Sequence, residues 1–357
     1  MIKNIINFLA DPKYFFTLFL LCFFLLIKYI HIFSTKIFFY KLISFLFIVF
    51  VYFCLDENFY KIISLPDNVP IIFLNVLVVW FLWYSLYKGV KNDNRIENGL
   101  GPIEATPENR EKVWVWPHLV YVELLAMLAT LSFLFIWAMF LKAPLEEPAN
   151  LTWAPNPAKA PWYFLGLQEM LVYFDPWIAG ILIPGVIVVG LISIPYLDPN
   201  PKGNGYFTFK ERKLAISIWL FGWLALWIFL IQIGTFLRGP NWTFYGPMEV
   251  WDAHKVVKES NVNFSEIIWI KLFRTYLPSN MFLREIPGMI FLFLYGFLGQ
   301  LLLKKRLQSL KESMGNARFY IFTFLVLMMI FLPLKMYLRW VFDLKYILSL
   351  PELELNI

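Results

Sequence analysis

Eight apolar runs, each close to the length that crosses a bilayer as a helix, constrain this chain more than any other feature. They cover 14–33, 37–55, 70–88, 119–141, 178–197, 214–236, 286–303 and 319–341. The first is interrupted by Lys28 and His31, and the last carries Pro333, Lys335 and Arg339. Long cations near helix ends can reach back to the interface, so both runs are still read as spans. Apolar residues make up 60% of the 357 positions, against roughly 45–50% in a soluble domain, and Phe alone occurs 38 times. The predicted fold class is therefore an all-α integral membrane protein with about eight transmembrane helices. A further helix is expected at the interface within the 144–177 loop.

The basic residues set an orientation. Lys91, Arg95, Arg110 and Lys112 lie in one loop, Lys202, Lys210, Arg212 and Lys213 in a second, and Lys304, Lys305, Arg306, Lys311 and Arg318 in a third. With eight spans these three loops share a side, whereas 142–177 on the other side holds only Lys142 and Lys159. By the positive-inside rule the basic loops are cytoplasmic and the 142–177 loop faces the periplasm. The net charge of +6 is thus explained by topology, and nucleic acid is not an expected partner. Three segments are expected: an N-terminal three-span extension over 1–95, a central unit over 96–240, and a periplasmic loop with two more spans over 241–357.

The two cysteines, Cys22 and Cys54, sit inside apolar runs, where they read as small buried hydrophobes rather than zinc or haem ligands. Only His31, His118 and His254 are present, and no pair has helical spacing, so the chain is expected to ligate no haem itself.

The richest chemistry lies between the fourth and fifth spans. Pro155, Pro157 and Pro161 break regular structure, and Pro161 suits the first turn of a short helix running to Phe174. Trp153, Trp162, Tyr163, Tyr173 and Trp177 read as an interfacial aromatic belt. Glu169 stands seven residues after Trp162, on the same helical face. Desolvation at the membrane edge would raise the affinity of such a carboxyl for protons, making Glu169 the candidate proton acceptor from a quinol. On residue type alone, a Glu169 carboxylate that accepts a hydrogen bond from neighbouring backbone or from a basic residue is the commoner arrangement. Trp162 and Tyr163 are the candidate quinol contacts, with interfacial anchoring as the alternative for Tyr163. Asp175 reads as a cap for the following span. His118 and Glu123, at the cytoplasmic start of the fourth span, form a candidate second quinone site or simply a polar pair near a helix end. Residues 264–277 suggest a second surface helix.

Taken in order, these segments resemble a known family. The stretch Trp116–Lys213 is similar to the carboxy-terminal domain of cytochrome b, including subunit IV of the cytochrome b6f complex. WPHLVYVELLAML looks like the start of that domain's first helix, and Glu147-Pro148-Ala149-Asn150, after Glu146, is similar to its Gly-Glu-Pro-Ala-Asp segment. APWYF at 160–164 falls at the family's Pro-Glu-Trp-Tyr motif. The motif glutamate aligns with Pro161, so only Trp162 and Tyr163 carry over, with Glu169 as the suggested substitute. Near the C-terminus, PLKMYLRWVFDLKY is also similar to a bacterial form of the domain.

The resemblance implies a subunit of a bacterial quinol:cytochrome c reductase of the bc type, in the inner membrane and dimeric. Its substrate would be quinol. Haem b would be held by a separate bis-histidine cytochrome b subunit and a [2Fe-2S] cluster by a Rieske protein, with a c-type cytochrome as further partner. A non-catalytic membrane anchor is the alternative. A transporter is disfavoured by the scarcity of ionisable residues within the spans and the lack of an inverted repeat.

Overall fold

The computed structural model describes residues 2–107, 112–143, 148, 150–152, 154–200, 205–255, 257 and 261–349. Arg110, Trp153, Lys202 and most of the Glu146–Asn150 segment lie outside them. Among the described residues the chain is all-helical, with two isolated bridges, Arg238–Phe244 and Val262–Leu344, and no strand. Among the described residues seven helices are long and apolar enough to cross a membrane, and a bent pair makes up to eight when counted as one span.

That pair is α1 (Ile2–Leu9) and α2 (Pro12–Lys28), at 76° to one another. The bend comes from Asp11-Pro12: the Asp11 carboxylate accepts from the Lys13 N–H, and Pro12 needs no N–H partner in the first turn. The first span is thus shifted from the expected 14–33, ending at Lys28 before the short α3 (Ile30–Phe33). Next come α4 (Lys36–Cys54), the surface helix α5 (Glu57–Ile63), α6 (Val69–Glu97), α7 (Val115–Phe140) and the short α8 (Leu165–Met170). They are followed by α9 (Ile178–Leu197), α10 (Lys213–Leu237), the expected surface helix α11 (264–272), α12 (Met281–Arg306), α13 (Gln308–Met314) and α14 (Asn316–Phe342).

The spans are longer than the apolar runs because their polar ends remain helical. In α6 the last turns carry Asn92 and Asp93, which are buried by hydrogen bonds to the 207–210 segment rather than by apolar packing. Those bonds join the first two basic loops. Leu197, Met314 and Phe319 pack together and bring the third basic loop to the same end of the bundle. The eight-span order therefore agrees with the charge pattern, and the 154–177 segment lies at the opposite end.

The core sits at that opposite end, where α2, α8, α10 and α14 converge. Phe16 lies within 4.8 Å of the Phe229 ring and 5.9 Å of Trp340, and the Thr17 and Tyr337 hydroxyls are 2.7 Å apart. Helix α2 of the N-terminal segment is thus packed against the last span. Lys335, expected to snorkel, is instead fully buried, its Nζ donating to the Leu344 carbonyl at 3.0 Å. The chain passing back over the bundle end takes up that charge. Cys22 also departs from expectation: it is exposed on α2, because an apolar residue on a span faces lipid as readily as protein.

No residue of α7 is buried. It touches the bundle through contacts such as Phe73–Trp137, with ring centroids 6.4 Å apart. A span with no face committed to its own chain is free to pack against lipid or another subunit.

Candidate functional site

The site begins with a turn. Pro161 holds an extended backbone, after which Trp162–Phe164 form one 3-10 turn leading into α8. Gln168 reaches back over it: its Oε1 accepts from the Ala160 N–H at 2.8 Å and its Nε2 donates to the Ala158 carbonyl at 2.9 Å. The loop before the turn is held separately. Asn156 exchanges two hydrogen bonds with Asn241, at 2.8 and 2.6 Å, and the Lys159 ammonium donates to the Thr235 carbonyl at 2.7 Å. The aromatic turn is therefore anchored on both flanks while its side chains stand outward. Tyr163 and Phe164 are each 50% exposed, and Trp162 is half-buried with its ring edge-on to Tyr163 at 5.7 Å.

Behind the turn, α8 presses Leu165, Gly166, Glu169 and Met170 against α10. Two glycines permit the approach. A Cβ on Gly234 would lie 3.2 Å from the Leu165 carbonyl oxygen, and one on Gly166 3.6 Å from the Trp227 carbonyl oxygen. This contact brings Glu169 to Arg238, which follows the π-wound last turn of α10.

Glu169 is fully buried. Its Oε2 accepts from Arg238 Nε at 2.9 Å, and its Oε1 accepts from Arg238 Nη2 at 2.7 Å and from the Tyr173 hydroxyl at 2.9 Å. Arg238 Nη1 donates to the Trp242 carbonyl at 2.9 Å, so all three guanidinium nitrogens are engaged. This is a fork-to-fork pair with its remaining valences satisfied, the arrangement that offsets the desolvation of both charges. Burial opposes the Arg238 charge, but the Glu169 carboxylate outweighs it and holds the guanidinium more firmly protonated than usual. Burial, with the Glu169 charge beside it, pushes the Tyr173 phenol well above its ordinary value.

The sequence expectation of Glu169 as an acid open to a bound carrier is corrected in its geometry. The carboxylate faces inward, and no hydrogen bond joins it to Trp162 or Tyr163. Tyr173 is likewise a core residue rather than part of the aromatic belt, being 0% exposed with its ring edge-on to Trp340 at 5.8 Å. Trp162, Tyr163 and Trp177 do line the surface. Asp175 caps the next span as expected, its Oδ1 accepting from the Trp177 N–H at 3.0 Å.

Lys159 adds a second cation near the pair. It lies 5.2 Å over the Trp251 ring, and burial lowers its pKa to about 8, with Glu169 pulling upward and Arg238 downward. His118 and Glu123 lie at the other end of the bundle, both exposed on α7 and its first π-wound turn, with no hydrogen bond between them. Among the described residues, no group of three or more His, Cys, Asp or Glu side chains could hold a metal ion.

Sequence reading missed Arg238 and Lys159. Arg238 is two residues past the end of the 214–236 apolar run, where a cation passes for an interfacial anchor. The readable signal was Tyr173, four residues after Glu169 and so on the same face of a helix, which marks Glu169 as one member of a buried polar cluster. No family model and no solved structure matches the chain.

Proposed function

We propose that this chain is a membrane subunit of a bc-type quinol-oxidising complex and that its Trp162–Phe164 turn supplies one wall of the outer quinol site. The observation that carries this reading is the pairing of an exposed aromatic ledge with a rigid, ion-paired base directly beneath it. A flat, lipid-soluble ring needs an apolar face to stack on and a hydroxyl to orient it. Phe164 and Trp162 offer the first, and the Tyr163 phenol offers the second. In this reading Glu169 is a positioning residue: with Arg238 it fixes α8 and therefore the ledge. It reaches the carrier's protons only through a rearrangement that frees it from Arg238.

The second wall comes from a partner subunit, for which the uncommitted face of α7 is suited. Haem b and a [2Fe-2S] cluster belong to partners, namely a bis-histidine cytochrome b subunit and a Rieske protein, with a c-type cytochrome accepting electrons. The complex sits in a bacterial cytoplasmic membrane with the basic loops inside and the 142–177 loop on the periplasmic side. His118 and Glu123, exposed at the inner end, remain a candidate second quinone contact completed by a partner.

A second reading is a scaffold subunit that holds redox partners without touching quinone. The engagement of both Glu169 oxygens favours it, because Glu169 then presents no free acceptor to the ledge.

The test is affinity purification through a tag on this chain, followed by reduced-minus-oxidised haem spectra and quinol:cytochrome c reductase assays. Co-purification of b-type haem with an activity that falls about tenfold or more in Tyr163→Ala supports the proposal. Co-purification with Trp162→Ala and Tyr163→Ala both fully active supports the scaffold reading. Absence of haem and iron–sulfur partners removes both.

A further inference from the structure

The opposite end of the bundle holds a cavity that the quinol reading does not use. Helix α12 ends at Arg306, α13 folds across the bundle end, and Gly315, at φ 79°, turns the chain into α14. Leu310 and Met314 seat α13 against Leu197 and Phe319, so its other face looks back at the last turn of α12. Between them lies a cavity of about 480 Å³, lined by Leu301, Lys304, Lys305, Gln308, Lys311 and Glu312 among others.

Three lysines thus line one hollow with a single acidic residue. Glu312 is not spent on them, since its Oε1 accepts from Gln308 Nε2 at 3.3 Å. Among the described residues none of the three lysines has a carboxylate within ion-pair distance; Lys311 lies 5.9 Å from the Tyr320 ring. Elsewhere on this chain lysines find carboxylates readily, as in Lys210–Glu97 and Lys255–Glu249. Like charges on residues lining one hollow repel one another, and an anion bound among them relieves that repulsion.

The hollow also opens onto an apolar wall. Leu301 lines it at 48% exposure, and Leu298 at 51% and Phe297 at 52% continue along the same span towards the membrane interior. A free phosphate would have no use for that wall. An amphiphile whose phosphodiester meets the lysines and whose acyl chains run down α12 uses both halves, as basic hollows at the ends of transmembrane helices do for acidic headgroups.

We infer that this hollow is a binding site for an anionic phospholipid, its headgroup phosphate held by Lys304, Lys305 and Lys311 and its chains lying on Leu301, Leu298 and Phe297. The assignment does not rest on the quinol reading. Each lysine near the phosphate is expected to contribute about fivefold to affinity at low salt. Removing all three should reduce binding on the order of 100-fold, less at physiological salt where a Debye length of about 8 Å screens exposed charge.

The experiment is native mass spectrometry of the full-length protein in neutral detergent, titrated with phosphatidylglycerol, phosphatidylcholine or inorganic phosphate. The wild type should bind phosphatidylglycerol about tenfold or more tightly than phosphatidylcholine, and millimolar phosphate should not displace it. Lys304→Gln/Lys305→Gln/Lys311→Gln should abolish the preference, and Glu312→Gln should strengthen it. Arg306→Gln with Arg318→Gln, which removes charge outside the hollow, should leave it nearly unchanged. If the triple variant fails to insert, Leu301→Trp offers an uncharged test, since it fills the hollow and should weaken binding with every lysine in place. An equal affinity for both lipids, displacement by free phosphate, or a preference untouched in both the lysine and the Leu301 variants overturns the assignment.

Discussion

Arg238 grips Glu169 with two nitrogens across a separation of 69 residues in sequence, at 2.9 and 2.7 Å, where both side chains are buried. That pair ties α8, which carries the aromatic turn, to the end of α10. Removing one partner of a buried ion pair leaves an uncompensated charge and costs about 3–5 kcal/mol. Glu169→Gln should therefore destabilise the folded protein by that amount in detergent unfolding, and Tyr173→Phe, which removes one charge-assisted hydrogen bond, by about 1.5–3 kcal/mol. The double variant Glu169→Gln/Arg238→Gln should recover part of the loss. Additive effects in that cycle would mean the two side chains are not coupled.

Lys159 gives a pH signature of the same neighbourhood. Its pKa falls from the ordinary 10.5 to about 8, with burial as the main cause. The unfolded chain therefore keeps this proton to higher pH than the folded one. Between about pH 8 and 10.5 the unfolded state binds more protons, so stability rises with pH from this group, and below 8 its contribution is flat. The difference in unfolding free energy between wild type and Lys159→Met should change in that window and nowhere lower. A difference that is constant from pH 7 to about 10.5 contradicts the burial of this amine.

How far the sequence led depended on how local each signal is. The spans were legible because a run of about 20 apolar residues has one stable fate in a bilayer, and a short helix after Pro161 was legible from that proline and the aromatic residues after it, although it ends at Met170 rather than Phe174. The shift of the first span was readable in Asp11-Pro12, a local cap. The partner of Glu169 was not, because residue type and helical period say which face a side chain takes but not what a helix 69 residues later brings to it. Lys335 failed for the same reason: inside an apolar run it reads as a snorkelling cation, and only the chain returning at Leu344 accounts for its burial.

That returning segment makes a further prediction. Residues 343–349 cross the bundle end by four backbone amide hydrogen bonds: Val262 N–H to Asp343 O at 3.2 Å, Lys345 N–H to Val262 O at 2.9 Å, Phe264 N–H to Tyr346 O at 2.9 Å, and Ser349 N–H to Glu285 Oε2 at 3.1 Å. They pass over Gly288, where a Cβ would collide with the Ile347 carbonyl and stand 2.8 Å from Leu348 Cδ2. Gly288→Ala should cost about 1–3 kcal/mol by overpacking and should free the segment first. Limited proteolysis should cut the variant after residue 342 faster than the wild type, while cleavage elsewhere is unchanged. Equal cleavage rates would mean the segment is not held there.

The basic end of the bundle depends on a different latch. Asn92 is fully buried: its Nδ2 donates to Glu104 Oε2 at 2.7 Å and to the Phe207 carbonyl at 3.0 Å, and its Oδ1 accepts from the Ile103 N–H at 3.0 Å. Next to it, Asp93 accepts from the Phe209 and Lys210 N–H groups at 3.2 and 3.1 Å. One side chain thus serves the loop after α6 and both serve the loop before α10, which holds two of the three basic loops together. Asn92→Leu keeps a similar volume but strips polar partners, leaving groups that cost about 1–3 kcal/mol each if they stay buried. The expected outcome is a loss of about 2–4 kcal/mol, with faster hydrogen exchange at the Ile103, Phe209 and Lys210 amides. The amides of Gly239 and Tyr245 at the opposite end of the bundle, which belong to the Arg238 cluster, should keep their protection. Uniform acceleration at both ends would show that the two ends of the bundle unfold as one unit and that Asn92 is not a local latch.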